Sequence, residues 1–143
     1  MMNLKKQYRG MLLPVVILFT GFGLARQFNL IVPGRFAIPG GWQAAIFVLS
    51  VVTAIAGPLF CRTLFAHVMG KKRGVPAPAF LSFQRQILWI SQVTPYLAFI
   101  AVLCDFTRFY GAAIVLMALY AIYYYFPSQQ RIEFDQKIFR VIQ

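Results

Sequence analysis

The sequence predicts an all-α integral membrane protein: four transmembrane helices, both termini on the cytoplasmic side, and a short amphipathic C-terminal helix. Three observations predict it. Four uncharged, strongly apolar stretches have the length of a bilayer crossing. The segments between them hold helix breakers and most of the charge. The basic residues divide unevenly between alternate segments, and that asymmetry sets orientation.

Composition makes a soluble fold untenable. Hydrophobic residues are 60% of the chain and charged residues 12%, where a soluble domain carries about 25% charged residues. Three acidic residues in 143 could not help cover a soluble surface, so much of the apolar surface must face lipid. The whole chain, 1–143, reads as one transmembrane domain. Its net charge of +11 would suggest nucleic acid on a soluble protein. Here the basic residues sit in connections, where they set topology and meet anionic headgroups. The expected partners are therefore the lipid bilayer, including anionic headgroups, and a protein of a larger membrane complex, not nucleic acid.

The uncharged stretches are Gly10–Ala25, Gln43–Cys61, Gln86–Cys104 and Phe109–Phe126. The last three hold 19, 19 and 18 residues, each enough to span. The first holds 16 and is extended past Arg26 by Phe28, Leu30, Ile31 and Val32, with the long Arg26 side chain reaching back to headgroups. The expected spans are about 10–30, 43–61, 86–104 and 109–126, followed by a cytoplasmic tail, 127–143. Lys5, Lys6 and Arg9 before the first stretch imitate a signal peptide, but no small-x-small cleavage site follows, and the stretch is expected to be retained.

Pro33-Gly34 and Pro39-Gly40-Gly41 break the chain after the first span; Gly70, Gly74, Pro76 and Pro78 do so after the second. Asp105-Phe106-Thr107-Arg108 must turn it between the third and fourth, which makes those helices antiparallel neighbours. Eleven of the fourteen basic residues lie in the N-terminal tail, the middle connection (Arg62, Lys71, Lys72, Arg73, Arg85) and the C-terminal tail. Arg26, Arg35 and Arg108 remain for the other side. The richer side faces the cytoplasm, and the expected location is a bacterial inner (cytoplasmic) membrane. Trp42, Trp89, Tyr120, Tyr123, Tyr124 and Tyr125 near span ends fit interfacial aromatic belts; a stacking platform for a flat ligand is the competing use.

In the tail, Phe134, Ile138, Val141 and Ile142 recur at i, i+4, i+7, i+8, an amphipathic helix for the leaflet or a partner, with Ser128 as its N-cap. The alternation Arg131-Ile132-Glu133-Phe134-Asp135 could instead pair as a strand.

Catalytic groups are scarce, so no enzyme, cofactor or metal site is expected. His67 is the single histidine, too few for bis-histidine haem or a three-ligand zinc site. Cys61 and Cys104 fall at opposite ends of the second and third spans, beyond disulfide reach. The chain is similar in length and span number to small four-helix multidrug exporters, but no span interior holds a carboxylate, and it is not assigned to them.

Two polar groupings remain as candidate structural or ligand-contacting sites. Arg26, Asp105 and Arg108 gather at the outer end; Asp105 is the one acid there. It pairs with Arg26 or with Arg108, or else the arginines, Arg35 included, hold an anion or lipid headgroup. In the third span, Ser91, Gln92, Thr94 and Tyr96 surround Pro95, either as interhelical hydrogen bonds or as a polar passage. The functional expectation is a non-catalytic membrane subunit or accessory protein. The alternative is a small homo-oligomeric transporter or lipid-handling protein using the third-helix cluster.

Overall fold

A computed structural model describes residues 2–32, 34, 36–70 and 74–142. Arg35, Lys71, Lys72 and Arg73, counted above for orientation or anion binding, lie outside the described residues. The protein is all-helical apart from one two-residue strand pair. Helix α1 is Met2–Gln27; α2, Gly40–Val51, continues through a π-helical turn, Val52–Ala56, into α3, Gly57–Met69. Strand β1, Val75–Pro76, leads into α4, Ala77–Leu103, then α5, Arg108–Tyr124, α6, Gln129–Ile138, and β2, Val141–Ile142.

Among the described residues, three helices are long and apolar enough to cross a membrane: Leu4–Gln27, Gly40–Met69 and Ala77–Leu103. A fourth crossing is reached if α5 and α6, bent by 76°, count together. At 17 residues, α5 alone is about 26 Å long, slightly under a hydrocarbon core of about 30 Å.

Helix α1 differs from expectation at both ends. It starts at Met2 and stops at Gln27 rather than near residue 30. The stop is local: Asn29 takes the left-handed conformation (φ 54°). The Leu30 and Asn29 amides then close onto Ala25 O and Arg26 O, a Schellman ending in which Asn replaces the usual glycine. Asp105 (φ 46°) ends α4 the same way, with Phe106 N–H on Ala101 O and Asp105 N–H on Val102 O. Asp and Asn tolerate this conformation better than other non-glycine residues.

Helix α4 is the hub, packing against α1, α2, the π-turn, α3 and α5. Half of its most apolar stretch is buried, against 11% for α1 and 17% for the α2–α3 unit. The π-turn sits just before Pro58, which has no N–H to continue the α ladder; Gly57 N–H reaches back five residues to Val52 O. Ser50 and Ala54 are buried there. A Cβ on Gly57 would lie 2.9 Å from Ile90 Cγ2, so only glycine lets α3 approach α4 this closely. A Cβ on Gly21 or Gly23 would meet nothing within 4 Å, so α1 makes no such approach there.

Two apolar clusters mark the two ends. One gathers Leu4, Tyr8, Phe80, Phe83 and Ile132 with Phe65 and Phe139 around it; the other joins Leu97, Ala98, Ala101, Ile114 and Ala118. The N-terminus, the α3–α4 connection and the C-terminal segment therefore share one end, with Cys61 in that cluster and Cys104 at the far end of α4.

The tail is a helix, and Ser128 caps it by accepting the Arg131 N–H at 3.4 Å. The Phe134 and Ile138 face expected to meet the leaflet or a partner is left outward, and a neighbouring face packs on the chain itself. Ile132 is buried and Phe139 packs on the core, while Phe134 and Ile138 are 63% and 50% exposed. The Ile142 side chain lies outside the described residues. Beyond the helix, β2 pairs in parallel with β1, Val75 opposite Val141.

Candidate functional site

At the end distal to the termini, the structure brings Arg26 and Asp105 together. Arg26 Nη1 lies 3.8 Å from Asp105 Oδ1, with both side chains substantially exposed, a pairing worth at most about 1 kcal/mol. The other carboxylate oxygen accepts Gly34 N–H at 2.8 Å. Asp105 thus ties the first connection, the end of α1 and the α4–α5 turn together. Arg108 opens α5 and, among the described residues, joins no ion pair. A second clamp there had not been singled out: buried Gln43 donates to Ile38 O (2.9 Å) and accepts from Thr107 N–H (3.0 Å). A glutamine at the start of an apolar run, in reach of a turn with free amides, was the available signal.

In mid-bundle the α4 polar residues point to neighbouring helices. Thr94 is fully buried, its hydroxyl 2.9 Å from that of Thr53 in the π-turn. Tyr96 donates to Met11 O (2.9 Å), so α4 and α1 are joined. Buried Ser91 donates to Leu88 O within α4 (3.1 Å). Gln92 is buried too, and its Oε1 has no partner among the described residues. Nearer the termini, Tyr8 bonds Ile122 O at 2.7 Å, joining α1 to α5.

The third region lies beneath α6 and escaped the sequence reading. Asp135 is mostly buried on the inward face of α6, where Arg62 Nη2 approaches Oδ1 at 2.5 Å. Gln84 Nε2 donates to Oδ2 at 3.0 Å. One carboxylate therefore binds α6 to α3 and α4. The signal was present, since Ile132, Asp135 and Phe139 share a helical face and an acid in an apolar stripe calls for a buried partner. Arg131 lies across the end of α5, donating to the Tyr123 and Tyr124 carbonyls. Its guanidinium is 5.5 and 5.3 Å from those rings. A cation at a helix C-terminus is favoured by the exposed carbonyls and the helix dipole.

Between α5, α6 and the α3–α4 surface lies a half-open cavity of about 540 Å³. Leu4, Ile87, Leu88 and Ile132 form its apolar wall. Arg62, Gln84, Gln130, Arg131 and Asp135 supply its polar groups, with Phe134 at one side. On α4 the lining stops at Leu88, about one turn short of Ser91, so the cavity does not enter the mid-bundle cluster. Near the end of α5, Tyr120 and Tyr124 stack on each other, centroids 5.2 Å apart, while Tyr123 stays exposed.

Nothing matches this chain among protein-family models, curated proteins or solved structures. Function has to be argued from the geometry.

Proposed function

We propose that the chain is an integral protein of a bacterial inner membrane with four spans, α1, α2–α3, α4 and α5, both termini cytoplasmic, and that it serves as a non-catalytic subunit or accessory protein of a larger membrane complex. One observation carries the reading: α1 and the α2–α3 unit bury so little of their apolar surface within the chain. Leu13, Ile17, Leu59 and Phe60 are all more than half exposed, giving two broad faces for lateral contact. The interior polar groups are consistent with this role, since Thr53–Thr94, Tyr96–Met11 and Tyr8–Ile122 hold helices to one another. Orientation rests on the Lys and Arg asymmetry, and α6 turns away from α5, as a helix leaving the membrane at the interface would.

Purification in mild detergent, with a photocrosslinking residue at Leu13 or Leu59, tests it. A stoichiometric protein adduct at either face is expected. Adducts to lipid alone, from a species that is stable and active by itself, would refute it. The carrier reading draws on one observation, the buried Gln92 Oε1 without a partner among the described residues; substrate binding that is lost in Gln92→Leu would be its signature.

A further inference from the structure

We propose that the cavity under α6 binds an amphiphile with an anionic, phosphate-type headgroup, one molecule per chain, as a structural lipid of the leaflet on the side of the termini. The inference requires that the chain lie in a bilayer, not that it have a protein partner. Three features of the cavity carry it.

The first is charge. Two guanidiniums, Arg62 and Arg131, and one carboxylate, Asp135, line the cavity. Each guanidinium has five N–H donors. Arg62 uses Nη2 on Asp135, and Arg131 uses Nη1 on two carbonyls, so among the described residues both retain donors for an anionic oxygen, with a net positive charge to draw it. The second is the paired character of the lining: an apolar wall of Leu4, Ile87 and Ile132 stands directly beside these donors. A free anion would gain nothing from that wall, whereas an acyl chain would. About 540 Å³ falls in the usual range for small-molecule sites. The third is position. The cavity sits where α5 ends and α6 turns by 76°. Exposed Tyr124, Phe126 and Phe134 line it, the side-chain chemistry of the headgroup–acyl boundary.

The test uses the full chain in a neutral detergent with acyl-labelled phosphatidylglycerol as probe. Saturable binding at one per chain is expected, weakened about tenfold by Arg131→Gln, the loss of a charge-assisted donor. Gln130→Trp, which narrows the mouth without changing charge, should weaken it as well. Lys137→Gln removes the same charge from the polar side of α6 and should leave binding within about twofold. Equal losses for Arg131→Gln and Lys137→Gln would mean diffuse attraction and overturn the site. Displacement by inorganic phosphate as readily as by unlabelled phosphatidylglycerol would overturn the amphiphile, and equal affinity for phosphatidylcholine the anionic headgroup. Hydrogen exchange across α6 checks that each variant keeps the tail docked.

Discussion

Asp135→Ala should loosen the C-terminal helix while leaving the membrane bundle intact. The substitution removes the acceptor of Arg62 and of Gln84 together. Breaking a fully buried ion pair by deleting one partner costs about 3–5 kcal/mol. Here the side chains are 37% and 18% exposed, so Arg62 can turn to water, and screening reduces the loss to about 1–2 kcal/mol. Ile132 and the Phe139 contact remain to hold α6, so the helix stays docked for most of the time. A loss of that size raises the open population about 5- to 30-fold. Hydrogen exchange by mass spectrometry on the detergent-solubilised chain reads it directly: amides of Gln129–Ile138 should exchange faster by that factor, with those around Leu97–Ala101 unchanged. Arg62→Gln, which keeps a donor, should give a smaller effect in the same segment. Unchanged exchange in α6 would refute the anchoring role, and equal acceleration in α4 would show that Asp135 supports the whole bundle.

Other outcomes follow from the helix contacts. Thr53→Val and Thr94→Val remove the same hydroxyl pair, but Thr53 also bonds Leu49 O and Ser50 O whereas Thr94, among the described residues, has only Thr53. Thr53→Val should therefore be the more destabilising, by about 1 kcal/mol for the stranded buried hydroxyl, in denaturant-induced unfolding in mixed micelles; the reverse order would contradict it. Gly57→Ala should cost about 1–3 kcal/mol by overpacking against Ile90, read as a lower thermal midpoint, while Gly21→Ala, which meets open space, should be neutral. On the proposed topology, single-cysteine variants retaining Cys61 or Cys104 should never both be labelled by an impermeant maleimide from the same side of sealed vesicles; labelling of both from one side would exclude it.

Much of the helical framework was legible because length and hydropathy depend on the chain alone. A run such as Gln86–Cys104 has few alternatives to a long apolar helix. Asp105 was legible as the acid of the outer end because no other acid lies nearby, but its partner, Arg26 or Arg108, was decided only by the fold. Ser128 was legible as a cap because its chemistry acts three residues away. What stayed hidden depended on tertiary contact. The tail has apolar residues on two adjoining sectors, Ile132 with Phe139 and Phe134 with Ile138, and periodicity does not say which packs inward. Arg62 and Gln84 decide it by holding Asp135, and neither lies near it in sequence. A proline at 58 must disturb its helix, but nothing local announces a π-turn holding Thr53 beside Thr94. Two residues, Val75 and Pro76, are too few for any strand pattern to announce their pairing with Val141 and Ile142.

The hub position of α4 constrains the order in which the molecule can be made. Helix α1 packs mainly along α4, and its bond to Tyr96 spans 85 residues of sequence. On the proposed topology, α1 and the α2–α3 unit would wait in the bilayer as separate rods until α4 arrives to join them. The interval is an opportunity for an insertase or chaperone to hold α1, and for two nascent chains to exchange first helices. Lengthening the α3–α4 connection would extend that waiting period.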